Sequence, residues 1–181
     1  DATPQFNLPA FKGAGTAIPI FSLRSKKSFG CGEFLDLKLL GDWCAKSGQT
    51  IIQTLPINDT SVFGTWKDSY PYSAISVYAL HPIYLNLEAM GLSSKEKDYQ
   101  QKRKELNQLE FVDYEEVMRL KWSYIKRLYK EQKESLFNNE EYQTFYEENK
   151  EWLKPYAVFC YLRDKYHTSD YTRWEDDAQY N

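Results

Sequence analysis

In the first half of the chain apolar residues come in short β-branched runs, and in the second half they recur at helical spacing. TAIPIFSLR (16–24) reads as a buried strand cut short by Pro19, which has no N–H to offer a sheet ladder. A glycine-bearing loop, KKSFGCGE (26–33), follows. Beyond it Phe34, Leu37, Leu40, Trp43 and Cys44 keep helical spacing as far as Gly48, a fitting C-terminal stop. IIQTLPI (51–57) is a second apolar, β-branched run, so the order strand, helix, strand predicts a parallel βαβ unit. The loop from Asn58 to Tyr72 is long, polar and aromatic. It continues through DSYPYSAISVYALHP (68–82), where Pro71 and Pro82 restrict the residues before them and bracket a strand-like run from Ser76 to Leu80.

From about Ser93 the pattern changes. SSKEKDYQQKRKELNQL (93–109) is charged with sparse apolar positions. A helix is then predicted from Asp113, with Glu116 at capping-box spacing and Val117, Leu120, Tyr124 and Leu128 as its apolar stripe, widened by Trp122, Ile125 and Tyr129. Two further helices are expected, one capped by Asn139 and the other starting near Pro155. The chain thus divides into a lead-in segment or linker (1–15), an α/β part (16–92) and a helical part (93–181).

At 181 residues with 42% hydrophobic residues, one domain with a real core is within reach, whereas a complete (β/α)8 barrel needs about 250. The net charge of −3, with mixed signs, provides no basic field for nucleic acid or anionic lipid. No apolar run approaches the ~20 residues that span a bilayer. Three widely spaced cysteines, Cys31, Cys44 and Cys160, suit buried thiols in a reducing compartment, so the cytoplasm is the expected location. Aromatic residues make up 17% of the chain, enough to fill gaps between helices or to offer faces to sugars or bases.

His81 and His167 lack the partners a metal site needs, and no phosphate-binding or dinucleotide glycine motif is present, so neither metal nor cofactor is expected. Most carboxylates fall on helix faces, where solvation or i,i+4 pairing accounts for them. Asp59 and Asp68 differ, lying in the loop after the second predicted strand, where α/β folds build their sites. Asp, Asn and Ser can hydrogen-bond hydroxyls while Tyr and Trp cover the C–H faces of a pyranose, a mixture suited to sugars.

The runs GTAIPIFSLRSKKSFGCGEFLDLKLLGDWCAKSG, IIQTLPINDT, DSYPYSAISVYALHP and KPYAVFCYLRDKYHTSDYTRW together resemble the amylomaltase, or 4-alpha-glucanotransferase, family, above all its long plant cytosolic enzymes and their bacterial relatives. The resemblance implies an α/β fold, the N-terminal part of a (β/α)8 TIM barrel with its first two strands and intervening helix, carrying a mainly helical insertion. It further implies a retaining enzyme that moves α-1,4-glucan units between maltose, maltodextrins and branched α-glucan through a covalent ester on an Asp, with a Glu acid/base and a second Asp. These acids belong to later barrel strands, so the chain is expected to be a fragment without its own catalytic residues. By position, Tyr72 and Ser69 match the family's Ser-Pro-Tyr motif, here lengthened by Tyr70. Tyr72 is thereby expected to pack against the glucosyl unit beside the scissile bond, and Ser69 to hydrogen-bond the substrate. Asn58 and Asp59 replace a Gly-Pro of the short enzymes and are expected to shape the acceptor side, and Trp66 to stack on a sugar. A non-catalytic carbohydrate-binding module or a helical interaction domain is the alternative. An open two-strand fragment would also tend to self-associate.

Overall fold

The structure, a computed structural model, describes residues 11–179. Most of the expected lead-in segment therefore lies outside the described residues. Strand β1 (Gly15–Ala17) is followed by helix α1 (Asp36–Lys46) and strand β2 (Ile51–Gln53). The strands pair in parallel, Gly15 opposite Ile51 and Ala17 opposite Gln53, so the predicted βαβ unit is present. Gly15 is needed there because a Cβ would collide with the Ile51 carbonyl. Pro19 ends β1 as its chemistry requires, and a short 3-10 turn carries Ile20 into the core.

The first strand was expected to be buried, yet β1 is only partly covered, and all three residues of β2 are exposed. Apolar runs of this kind suit a parallel sheet covered on both faces. Here the sheet has two strands, and Leu39 and Trp43 of α1 face outward as well.

Helices α2 (Lys97–Gln108) and α3 (Tyr114–Phe137) pack on the segments around Ile20 to Cys31 and Ile83 to Leu92, making one hydrophobic core. The stripe Val117, Leu120, Tyr124, Leu128 is buried as its spacing predicts, whereas Trp122 and Tyr129 remain exposed. Asp113 caps α3 by accepting the Glu116 N–H, but Glu116 pairs with Arg119 instead of completing the capping box. At the centre Phe29 stacks on Tyr99 at 5.3 Å and Tyr124 meets both rings edge-on, so part of the aromatic content is packing.

Lys121 is the residue least expected in this core. Its Nζ donates to Glu33 Oε1 (2.6 Å) and to the carbonyls of Ile83 (2.6 Å) and Leu85 (2.7 Å), with both charged side chains almost wholly buried. Glu33 also accepts from the Phe29 N–H and the Asn86 amide, so the pair ties α3 to both loops beneath it.

Two expectations are corrected. Helix α4 runs unbroken over Glu140–Tyr166 with Pro155 inside it, where two helices were predicted. An interior proline costs about 3 kcal/mol. The offset lies in one continuous face, with Trp152, Tyr156 and Arg163 on both sides of the proline docking onto the same loop region. Asn139 caps this helix as expected, and His167 closes it in the left-handed conformation, φ 53°. The second correction concerns residues 76–80, which form bends and not a strand. Ser76 Oγ accepts the N–H groups of Tyr78 and Ala79, turning the chain, and Leu80 makes a single antiparallel bridge to Asn58. Cys31 and Cys44 are buried thiols and Cys160 is half-buried, all unpaired. Among the described residues no helix is long and apolar enough to cross a membrane.

Candidate functional site

The segments that leave the C-terminal ends of β1 and β2 border a cleft of about 540 Å³. Phe21, Ser22 and Arg24 come from the first, and Pro56, Asn58, Thr60, Trp66 and Ser69 from the second; Glu110 and Phe111 join them from the α2–α3 connection, and His81 and Tyr114 also line it. The cleft thus lies beyond the C-terminal ends of the two parallel strands, where α/β folds commonly bind ligands.

Of the predicted sugar-contacting residues, Asn58, Trp66 and Ser69 line this cleft. Trp66 is 67% exposed, and its backbone N–H is held by Glu115 Oε1 at 3.1 Å. Asp59 is buried, its Oδ1 accepting the Ser61 N–H and its Oδ2 the Tyr156 hydroxyl at 2.5 Å. Tyr72 lies outside the cleft lining at 61% exposure, its ring 5.5 Å from that of Tyr70.

The loop is rigid because its own carboxylates hold it. Asp68, buried, accepts the N–H groups of Phe63 and Gly64, and Gly64 takes the positive φ (69°) that the tight turn demands. Thr60 Oγ1 donates to the Asp68 carbonyl. From outside, α4 fastens the same loop: Arg163 donates to the Ser61 carbonyl, and Trp152 stacks on Tyr78 at 5.3 Å. Burial and the Asp59 contact push the Tyr156 hydroxyl well above its ordinary pKa, keeping it a donor.

His81 and Tyr114 lie against the cleft. His81 Nδ1 accepts the Ile83 N–H at 3.0 Å, so in the neutral ring Nε2–H is left to donate to the Tyr114 hydroxyl at 3.1 Å. Burial lowers the His81 pKa from 6.5 to about 4, against the opposing pull of Asp59 and Asp68 and with a small push from Lys121. The folded state therefore binds fewer protons than the unfolded chain between these values. Stability from this group is present above pH 6.5 and lost as pH falls towards 4, by about 3 kcal/mol. Urea unfolding at pH 7.5 and pH 5 should show the loss, and His81→Asn should flatten it.

Sequence reasoning had not singled out Arg24, Glu110, Phe111 or Tyr114. Three of them reach the cleft from the helical part, and the only signal open to it was Asp113 fixing where α3 starts. The lining combines aromatic faces with hydroxyl, amide and carboxylate groups, a set suited to binding sugars. Asp68 has both oxygens accepting backbone N–H groups of its own loop. Among the described residues no cluster of three His, Cys, Asp or Glu could hold a metal.

A family model described as 4-alpha-glucanotransferase matches residues 18–181. The 4-alpha-glucanotransferase DPE2 of Oryza sativa subsp. japonica is 48% identical over 174 residues, covering 94% of this chain and 18% of that protein. The 4-alpha-glucanotransferase of Chlamydia muridarum is 37% identical over 165 residues (88% of this chain, 30% of the relative), and that of Chlamydia caviae 38% over 161 (84% and 28%). The chain thus spans less than a third of the length of these relatives. With the match running from the end of β1 to the last residue, the chain belongs to the 4-alpha-glucanotransferase family.

Proposed function

We propose that the chain is the sugar-positioning part of a longer 4-alpha-glucanotransferase, which moves α-1,4-glucan units from maltose or maltodextrins to glucan acceptors with retention at the anomeric carbon. The observation that carries this reading is the cleft beyond β1 and β2, with Asn58, Trp66 and Ser69 in its lining, on a chain of this family. In the reaction an Asp carboxylate elsewhere in the protein attacks C1 and the glycosidic C1–O4 bond breaks. A Glu gives the departing oxygen its proton. An acceptor hydroxyl then attacks C1 of the ester, losing its proton to the Glu and releasing the Asp. This chain's residues hold the sugar: Tyr72 on the unit beside the bond, Ser69 on a hydroxyl, Trp66 on a ring face, Asn58 on the acceptor side, with Asp59 keeping that loop in shape.

In the same reading β1, α1 and β2 open a (β/α)8 barrel and residues 93–181 are an insertion returning to it. The exposed Ile51, Ile52, Leu39 and Trp43 support this, because further strands and helices would cover them, and without those the chain would self-associate. A cytoplasmic location suits the unpaired thiols.

The test is glucose release from maltose with glycogen as acceptor, run on the 181-residue chain and on the longer protein containing it. Activity in the longer protein alone is expected. Activity in the 181-residue chain would assign the chemistry to its own acids and overturn the reading.

A further inference from the structure

We propose that Phe111, with Glu110 beside it, is a glucan-binding element at the rim of the cleft that selects for chains longer than a disaccharide; this rests on the function proposed above. Phe111 is 77% exposed, and among the described residues no aromatic side chain is more so. Its backbone is nonetheless fixed on both sides. Arg24 reaches across from the segment after β1 and donates to the carbonyls of Leu106 (3.1 Å), Asn107 (2.8 Å) and Leu109 (2.8 Å), while Asp113 caps α3 two residues later.

A large apolar ring held in water on an anchored turn adds little to folding, because it gives up little water-exposed surface. It does present a preformed flat face, and binding to such a face costs little ordering. The Trp66 backbone N–H is tied to Glu115 in the first turn of the helix that Phe111 precedes, and both exposed residues line the cleft. Glu110, also in the lining, supplies a carboxylate acceptor for pyranose hydroxyls. Aromatic faces with a neighbouring hydroxyl acceptor fit an α-1,4-glucan chain. Tyr72, assigned above to the unit beside the reacting bond, does not line the cleft, so contacts at Phe111 serve sugar units farther along the chain.

The experiment uses the longer protein and its Phe111→Ala and Phe111→Trp variants. Transfer is measured with maltose as donor and glucose as acceptor, and separately with maltoheptaose and with glycogen; maltoheptaose affinity is measured by calorimetry. Phe111→Ala is expected to raise KM and Kd for maltoheptaose, and KM for glycogen, about tenfold. It should leave kcat within about twofold and change KM for maltose much less than KM for maltoheptaose, and Phe111→Trp should restore affinity. Unchanged long-chain affinity in Phe111→Ala, or an equal loss with maltose, overturns this inference while leaving the function intact. A wild-type protein that transfers from no glucan overturns the function itself, and this inference with it.

Discussion

Replacing Lys121 by methionine is expected to lower the unfolding free energy by about 3–5 kcal/mol, the usual cost of removing one partner from a buried ion pair. Methionine fills much of the aliphatic volume but leaves the Glu33 carboxylate buried without its cation and the Ile83 and Leu85 carbonyls without their donor. In the native protein burial already raises the Glu33 pKa above 4.5, with Lys121 the main opposing influence. Without Lys121 it rises further. Since a carboxylate with a raised folded pKa loses stability as pH increases through that value, the deficit should be smallest below pH 4.5 and grow towards neutrality. Urea unfolding of wild type and variant across this range measures it. Adding Glu33→Gln should recover part of the loss, because the unpaired charge is gone, but not the part owed to the two carbonyls. A pH-independent deficit would mean that Glu33 is not the group left stranded.

Tyr72→Ala in the longer protein is expected to lower kcat/KM for maltose about 10–100-fold, the equivalent of losing one well-packed aromatic face. Tyr72→Phe keeps the face and should lose much less. Because the side chain is 61% exposed and its principal aromatic neighbour is Tyr70, the fold should survive, with circular dichroism and melting unchanged. The effect should also differ in kind from that at Phe111. Contact beside the reacting bond acts on the transition state and lowers kcat, whereas contact farther along the chain acts on KM. A Tyr72→Ala protein with normal maltose kinetics would remove this tyrosine from the donor side.

The βαβ unit, the starts of α3 and α4 and the stripe of α3 were legible because each depends on neighbours in sequence: a proline, a capping Asp or Asn, apolar residues one turn apart. The unbroken α4 was not. Pro155 is a local signal for a boundary, and the contacts that overrule it, Tyr156 to Asp59 and Arg163 to Ser61, join residues about a hundred positions apart. Ser76–Leu80 misled in the opposite sense, since the β-branched and aromatic residues that suggested a strand are turned by one serine hydroxyl. At the cleft, Asn58, Trp66 and Ser69, named from their place after a strand and from the family motif, are in the lining. Phe111 and Arg24 were not named, because nothing local in EFVD or SLR marks a cleft wall assembled from three distant segments.

The way α4 holds the loop also restricts how this part of the protein can change over time. Trp152, Tyr156 and Arg163 are spread over about 16 Å of helix, and each residue turns the helix by about 100°. Losing or gaining one residue between Tyr156 and Arg163 would turn one end of the helix by about 100° relative to the other, dropping the arginine or the tyrosine contact whichever end stayed docked. Single-residue length changes inside this stretch therefore carry a penalty that single substitutions do not. Divergence here should proceed by exchange of side chains at constant spacing, with insertions displaced to the Asn138 turn or to the segment after His167.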